Sequence, residues 1–386
     1  MDKMRSIALD KHIPFHKVEF YKHNLNDQDK QALLEVLDST FLTTGKLVAD
    51  FEKKFAQYLS LDYAVGVSSC THALELCLRY FKIGPGDEVI TTPLSFVATA
   101  NAIEYVGAKP VFVDVEESTG NINHELLEAA ITQKTKAIIP VHLYGQMCDM
   151  RAVKVIADKY NLKVIEDAAH CIEGQRDGYG VGQLADAVCF SFYATKNITS
   201  GEGGAVATHN RDMYEWLLRG RSHGLSSNAA DRYAKKYQHY DMEFLGMKCN
   251  MTNMQAALLI NQLERIEKLH IQRKKLVDSY DQFLSDFTTP LKVGKHAYHL
   301  YTIWHKKRDI LLAFLQEHMI GAAVHYRPIH LMSFYKDKYG YQSGDFPHAE
   351  CIGLKTISLP LYPTLQHYEL EAVISTLQMF KRLHDV

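Results

Sequence analysis

The stretch CFSFYATKNITSGEGG, residues 189–204, decides how the rest of the chain is interpreted. It begins as an apolar, β-prone run and ends as a small, polar loop that contains one lysine, Lys196, and three glycines. Open α/β sheets place their functional groups where a strand ends in such a loop. Burial there lowers the pKa of a lysine and makes its amine a usable nucleophile. A loop lysine taken alone is more often simply solvated, so the surrounding sequence must decide between the two interpretations.

Short β-prone runs alternate with amphipathic helical runs around this stretch, from residue 63 to about residue 208. Such alternation predicts an α/β fold with a mainly parallel sheet that is covered by helices on both faces. The seven predicted strands are 64–67, 88–92, 110–115, 137–142, 163–166, 187–193 and 204–208. The predicted helices between them are 73–81, 98–106, 124–131 and 150–160.

The chain of 386 residues is longer than one average domain, so we expect a large domain and a smaller one. The predicted division is an N-terminal arm at 1–23, a large α/β domain at 24–250, a linking helix at 251–276 and a small α+β domain at 277–386. Within the last two parts, the pattern predicts a long helix at 254–276, a strand at 298–304, a helix at 310–318, a strand at 322–326 and a helix at 368–383.

The composition excludes several classes of partner. Forty-three basic and forty-five acidic residues give a net charge of −2 without a basic cluster, which argues against nucleic acid and anionic membranes. The seven cysteines are scattered and form no CxxC pair, which is typical of a reduced protein without a disulfide framework or a metal site. No run approaches the roughly 18 apolar residues of a membrane span, and no signal peptide is recognisable. We therefore expect a soluble, cytoplasmic protein.

Six further segments accompany residues 189–204. They are SSCTHAL (68–74), ITTPLSFVATANAI (90–103), VHLYG (141–145), VIEDAAH (164–170), SHG (222–224) and VHYRPIH (324–330). Together they resemble, in family order and over nearly the whole chain, the DegT/StrS family of nucleotide-sugar aminotransferases. These are fold-type I enzymes that use pyridoxal 5′-phosphate (PLP). The resemblance implies a seven-stranded large domain, a small C-terminal domain and a PLP site.

The resemblance assigns two catalytic residues. Lys196 would form the Schiff base with PLP and move protons during the reaction. Asp167, at the end of an apolar strand, would keep the pyridine nitrogen protonated, although a carboxylate in that position could merely cap the next helix. His170 would lie near the phenolic oxygen of the cofactor. A structural role for this histidine is an equal alternative.

The phosphate of PLP needs hydrogen-bond donors at a helix N-terminus. Residues 68–72 follow a predicted strand and open a helix, which is that arrangement. The resemblance points to the Thr71 hydroxyl and to the amides of Cys70, Thr71 and His72, with Ser191 as a further hydroxyl. Because Cys70 and His72 replace residues that are usually small, we expect the amides to matter more than these side chains.

Other candidate residues concern the ring, the partner subunit and the substrate. Phe96 would stack on the cofactor ring, or it could be an ordinary core aromatic. Asn250 resembles the residue that reaches the phosphate of the neighbouring subunit, which implies a homodimer with shared active sites. His325, Tyr326 and Arg327 resemble substrate contacts, and Arg327 suits a diphosphate. A structural surface role for these three is an open alternative.

The predicted function is transfer of an amino group from glutamate to a keto-sugar nucleotide by a ping-pong mechanism, in surface polysaccharide or lipid glycan biosynthesis. The likeness is greatest to enzymes that aminate C4 of a UDP-linked 4-keto-6-deoxy or pentose sugar, of the 4-amino-arabinose or pseudaminic acid type. One alternative is a sugar dehydratase, in which histidine replaces the lysine. Others are a non-catalytic regulatory protein and a dehydrogenase. The last would rest on the glycines of 180–185, which lack the strand before and the helix after that a dinucleotide site needs.

Overall fold

The protein is described by a computed structural model that covers residues 17–226 and 239–384. Eleven strands lie in these ranges. They are β1 (Tyr63–Val67), β2 (Glu88–Thr91), β3 (Lys109–Phe112), β4 (Thr135–Ile139), β5 (Lys163–Asp167), β6 (Gln175–Arg176), β7 (Tyr179–Gly180), β8 (Ala187–Ser191), β9 (Gly204–Thr208), β10 (Tyr301–Trp304) and β11 (Thr356–Leu359).

Thirteen α-helices accompany them within the same ranges. They are α1 (Asp27–Leu37), α2 (Lys46–Leu59), α3 (Cys70–Tyr80), α4 (Ala98–Tyr105), α5 (Leu127–Ala130), α6 (Met150–Lys159), α7 (Arg211–Gly220), α8 (Asn253–Glu264), α9 (Ile266–Phe283), α10 (Arg308–Glu317), α11 (Ser333–Tyr339), α12 (Pro347–Lys355) and α13 (His367–His384). Among these helices, none has the length and apolar character that crossing a bilayer requires.

The central sheet has seven strands in the order β1-β9-β8-β5-β4-β2-β3. Only β9 runs antiparallel to its neighbours, and the other adjacent pairs are parallel. The carboxyl ends of β5 and β8, Asp167 and Ser191, therefore meet at one edge. Gly204 pairs there with Ser191 on one side and with Val67 on the other. The strand order and register therefore place Asp167, Ser191 and Gly204 close together at one edge of the sheet.

Helices cover both faces of this sheet. In β8, Val188 and Phe190 pack on the face covered by α2, α6 and α8, and Ala187 and Cys189 pack on the face of α3, α4 and α7. A strand buried on both faces needs this near-continuous apolar sequence. The predicted α/β architecture with seven strands is confirmed.

The C-terminal part has its own core and a small antiparallel sheet of β10 and β11. Sequence reasoning missed β11, and the predicted strand at 322–326 was wrong. That segment forms only one bridge, from Ala323 to Ser358. The carbonyl of His325 instead accepts a hydrogen bond from the Tyr144 hydroxyl, at 2.6 Å, so side chains and not a neighbouring strand satisfy this backbone.

The predicted long helix at 254–276 is two helices, because Arg265 leaves the helical conformation (φ −106°, ψ 11°). Its guanidinium binds the buried carboxylate of Asp29, which ties α1 to this break. The second helix, α9, also continues beyond the predicted end to Phe283. The division into domains stays a prediction, and residues 1–16 of the predicted arm lie outside the described ranges.

Candidate active site

A cavity of about 530 Å³ opens at the carboxyl ends of β5 and β8. Nine of the twelve predicted site residues line it, namely Cys70, Thr71, Phe96, Asp167, His170, Ser191, Lys196, His325 and Tyr326. His72, Asn250 and Arg327 are not part of this lining. A second, more open cavity of about 770 Å³ lies beside β10 and contains none of the twelve.

Lys196 sits in a tightly bonded loop between β8 and β9. Its backbone amide donates to the carbonyl of Tyr193 at 2.9 Å. The Gln262 side chain holds the next turn of this loop through both the amide and the carbonyl of Thr199. Burial lowers the pKa of Lys196 to about 8, against the opposing effect of Cys70 and Asp167. Near neutral pH the cavity therefore holds far more of the free amine than an exposed lysine would supply.

Asp167 is buried and held by several donors. The hydroxyl of Thr99 donates to Oδ2 at 2.7 Å, and the amide of Ala169 donates to Oδ1 at 3.1 Å. The thiol of Cys70 lies 3.9 Å from the same Oδ1. The chain continues after β5 as a turn, so Asp167 does not cap a helix. Sequence reasoning missed Thr99, whose contact with Asp167 spans 68 positions.

The N-terminus of α3 forms another part of the wall. The helix begins at Cys70, and the hydroxyl of Ser69 caps it by accepting the amide of His72 at 3.2 Å. The amides of Cys70 and Thr71 belong to the first turn, where a helix leaves its donors without internal partners. The amide of His72 is engaged by the cap, and its imidazole contacts Ser68 and Ser69, so His72 does not reach the cavity as predicted.

Gly204 allows β9 to approach this helix end. A Cβ atom at this position would lie 2.4 Å from the carbonyl carbon of Ser69 and 2.6 Å from the amide nitrogen of Cys70. No side chain fits in that space. The glycine of the motif therefore keeps the N-terminus of α3 close to the edge where β8 ends.

His170 also lines the cavity and is neutral. Its Nδ1 accepts the backbone amide of Tyr144 at 3.3 Å, so the proton is on Nε2, 3.1 Å from the hydroxyl of Tyr326. Burial, and then the charge of Lys196, lower the pKa of His170 well below its usual value.

Phe96 also lines the cavity. Its side chain is 58% exposed in this chain, so it is not an ordinary core aromatic.

The other two residues lie away from the cavity. Asn250 is bridged to the end of β1, and its amide nitrogen donates to the hydroxyl of Thr44 at 2.7 Å. Arg327 is exposed, and its guanidinium donates to the carbonyl of Leu331 at 3.0 Å. Within one chain, neither side chain lines the site.

The residues around the cavity fit PLP. They supply an amine of lowered pKa, a buried carboxylate, a helix N-terminus suited to a phosphate, and an exposed aromatic face. The model of the DegT/DnrJ/EryC1/StrS aminotransferase family matches residues 23–378. The chain belongs to that family. It is a PLP-dependent enzyme of a sugar aminotransferase family, with the fold-type I architecture.

Several relatives of the DegT/DnrJ/EryC1/StrS family support this assignment. The spore coat polysaccharide biosynthesis protein SpsC of Bacillus subtilis (strain 168) is 39% identical over 367 residues, which is 92% of this chain and 94% of SpsC. The putative sugar aminotransferase Spr1654 from Streptococcus pneumoniae, solved in its PMP form, is 30% identical with a TM-score of 0.89. That likeness covers 95% of this chain and 98% of the Spr1654 chain. Spr1654 has also been solved in a PLP form.

A second solved structure is PseC of Helicobacter pylori, an aminotransferase involved in the biosynthesis of pseudoaminic acid. It is 31% identical, with a TM-score of 0.89 over 95% of this chain and all of the PseC chain (100%). Membership of this family excludes the dehydrogenase alternative. Gly180 ends the two-residue strand β7, residues 181–185 form the turn that leads towards β8, and no helix follows the glycines.

Proposed function

We propose that this enzyme transfers an amino group from glutamate to C4 of a UDP-linked 4-keto sugar, either a 6-deoxy hexose or a pentose, by a ping-pong mechanism. The observation that carries the proposal is the joint presence of Lys196 and Asp167 in one cavity beside a helix N-terminus. Lys196 argues against the dehydratase alternative, in which histidine takes its place. The joint presence of the amine and the carboxylate argues against a regulatory protein without turnover.

Lys196 and Asp167 would do the chemistry. Bound PLP supplies an electron sink for the substrate carbon that gains or loses the amino group. Lys196 would hold the cofactor covalently and, once the donor amine displaces it, carry a proton on Nζ to and from that carbon. Its lowered pKa favours both tasks. Asp167, fixed by Thr99 and Ala169, would keep the proton on the ring nitrogen by its charge.

The remaining wall residues would hold and orient the cofactor. The Thr71 hydroxyl, the amides of Cys70 and Thr71, and the Ser191 hydroxyl would bind the phosphate. His170 would lie at the phenolic oxygen, and Phe96 would stack on the ring face. These roles agree with the positions of the side chains around one cavity.

The sugar nucleotide would bind on the side of His325 and Tyr326. Arg327, which lies outside the lining, would bind the diphosphate. The choice of a C4 amino sugar rests on the resemblance of residues 92–103 and 324–330 to enzymes that aminate C4 of UDP-linked sugars. The choice of a surface polysaccharide pathway rests on the likeness to SpsC. This part of the proposal is an analogy between family members.

We further propose a homodimer in which Asn250 completes the phosphate site of the partner subunit. Asn250 contacts Thr44, and the neighbouring Leu42 is 40% exposed. Two apolar side chains of α1, Leu34 and Leu37, are 53% and 51% exposed. An interface between two copies would cover apolar surface of this kind.

The test is incubation of the purified protein with glutamate and a panel of UDP- and TDP-linked 3-keto and 4-keto sugars, with products read by mass spectrometry. We expect one 4-keto UDP-sugar to be converted to its amino sugar, with an equal amount of 2-oxoglutarate formed. The Lys196→Ala variant is the control. A dehydrated product would favour the dehydratase, and no turnover of any keto sugar would favour the regulatory protein.

A further inference from the structure

A buried chain of polar side chains runs from α9 to the residue that follows Lys196. Arg273 pairs with Glu173, and both are 2% exposed. The second oxygen of this carboxylate, Oε2, accepts a hydrogen bond from the amide nitrogen of Asn197 at 2.9 Å. Buried charges are retained only when such partners satisfy them. The arrangement therefore fixes the side chain of Asn197.

Asn197 in turn fixes the proton on His299. Its Nδ2 donates to Glu173 and also to the carbonyl of Ala297, at 3.0 Å, and both of these partners are acceptors. The remaining atom, Oδ1, can only accept, and it lies 3.3 Å from Nδ1 of His299. Nδ1 must therefore carry the proton. Nε2 of His299 is left with an unshared electron pair.

His299 belongs to the same cavity as Lys196, and it is neutral. Burial first, and then the charge of Lys196, lower the pKa of His299 well below its usual value. Its ring lies 4.4 Å from that of His170, which holds its proton on Nε2. The two neighbouring imidazoles thus have opposite tautomers, one presenting a donor and the other an acceptor.

Lys196 and His299 line the same cavity, and no hydrogen bond joins their side chains in the structure. We propose that Nε2 of His299 accepts a hydrogen bond from Nζ when the side chain of Lys196 turns towards it, so that Arg273, Glu173, Asn197 and His299 together orient the lysine amine. His299 is a positioning residue in this account. The proposal rests on the proposed role of Lys196 as the residue that holds the cofactor. By accepting from the ammonium form, His299 favours that form and partly offsets the effect of burial. The amine then keeps one direction in the cavity during each proton transfer.

Two substitutions of His299 separate its nitrogen atoms. In His299→Asn the side-chain amide can replace Nδ1 and keep the bond to Asn197, but nothing remains at the position of Nε2. In His299→Gln the amide reaches the position of Nε2, where its oxygen can still accept. The matched control is His296→Asn. His296 is 6% exposed on the same segment, its Nδ1 accepts the amide of Tyr298 at 2.8 Å, and it does not line the cavity.

The readout is the pKa of Lys196 in the full-length protein after removal of the cofactor. It is obtained from the pH dependence of amine acylation, followed on the Lys196 peptide by mass spectrometry. We expect a fall of about one pH unit in His299→Asn, a smaller fall in His299→Gln and none in His296→Asn. An unchanged pKa in a folded His299→Asn would overturn the proposal. The other titratable groups that act on Lys196 or respond to its charge are Cys70, Asp167, His170 and His325.

A second measurement needs no variant at His299 that folds well. Nitrogen-15 NMR of labelled histidines in the wild-type protein distinguishes the two neutral tautomers. The His299 signal is assigned by its loss in whichever His299 variant is folded, and otherwise by its shift in Asn197→Ser. A proton on Nδ1 is the expected result, and a proton on Nε2 would contradict the proposal. Neither measurement requires turnover, so both stand even where the proposed sugar amination fails.

Discussion

The two walls of the cavity differ in how far one chain completes them. In the sheet wall, formed by Asp167, Ser191, Lys196 and the N-terminus of α3, the side chains of Asp167 and Ser191 are buried, and donors of the same chain hold the Asp167 carboxylate. On the substrate side, Arg327 is exposed outside the lining. Asn250, which is proposed for the phosphate site of the partner subunit, is bonded to Thr44 of its own chain. The groups proposed for chemistry are thus built into the fold, whereas those proposed for the nucleotide and the partner subunit are not. Damage to the sheet wall should stop the reaction, damage at Arg327 should change only substrate binding, and damage at Asn250 should weaken the site of the partner subunit.

Replacement of Lys196 by alanine should have the largest effect. Turnover should fall by several orders of magnitude, because the covalent attachment and the proton transfer both depend on this amine. PLP should still bind, but borohydride should no longer fix it to the protein. Lys154→Ala, a substitution on α6 outside the cavity lining, is the control, and borohydride should still fix PLP to this variant. Recovery of the borohydride label on a peptide other than that of Lys196 would refute the assignment.

Asp167→Asn should have the next largest effect. The amide keeps the shape but cannot hold the ring proton by charge, so the half-reaction with glutamate should slow by roughly 10²- to 10³-fold. Stopped-flow absorbance measures this step, and the thermal unfolding midpoint checks that the fold is intact. Unchanged half-reaction kinetics would mean that Asp167 has only a structural role.

Thr99→Val tests whether the support of Asp167 matters. Valine has a similar shape but lacks the hydroxyl that donates to Oδ2, so the same half-reaction should slow by about tenfold. Ser95→Ala is the matched control, because its hydroxyl contacts that of Thr99 and not the carboxylate itself. Equal rates in Thr99→Val and wild type would show that the other donors suffice.

Arg327→Ala should have the smallest effect and a different kind of effect. The KM for the sugar nucleotide should rise by up to about fivefold, as expected for an exposed ion pair. The half-reaction with glutamate should be unchanged, because glutamate carries no diphosphate. Steady-state kinetics with each substrate varied in turn separates the effect on sugar-nucleotide binding from any effect on the glutamate half-reaction. A slower glutamate half-reaction would mean that Arg327 acts together with the residues of the sheet wall. That result would contradict the proposed difference between the two walls.

The sequence predicts the sheet wall better than the rest, for a physical reason. Lys196, Asp167 and Ser191 each end or follow an apolar strand, and the order of parallel strands brings such ends together. No local sequence pattern marks Thr99 or His299 as a site residue. Thr99 contacts Asp167, which is 68 positions away, and His299 contacts Asn197, which is 102 positions away. Such contacts depend on the packing of whole elements, which local pattern does not specify.

The same reason explains the errors in the C-terminal part. The predicted strand at 322–326 has a suitable β-prone composition, but the partner that pairs with β10 is β11. Register between distant strands depends on which segment the chain brings alongside. His72 lies outside the cavity lining for a different reason, because its amide donates to the hydroxyl of Ser69 in the helix cap.

The most direct test of the difference between the two walls is subunit mixing. If Asn250 serves the site of the partner, a heterodimer of Lys196→Ala and Asn250→Ala subunits holds one doubly damaged site and one intact site. Activity should then rise as subunits exchange, to at most about half of the wild-type value per heterodimer. No rise despite proven exchange, or full wild-type activity in a monomer, would show that each site is complete within one chain.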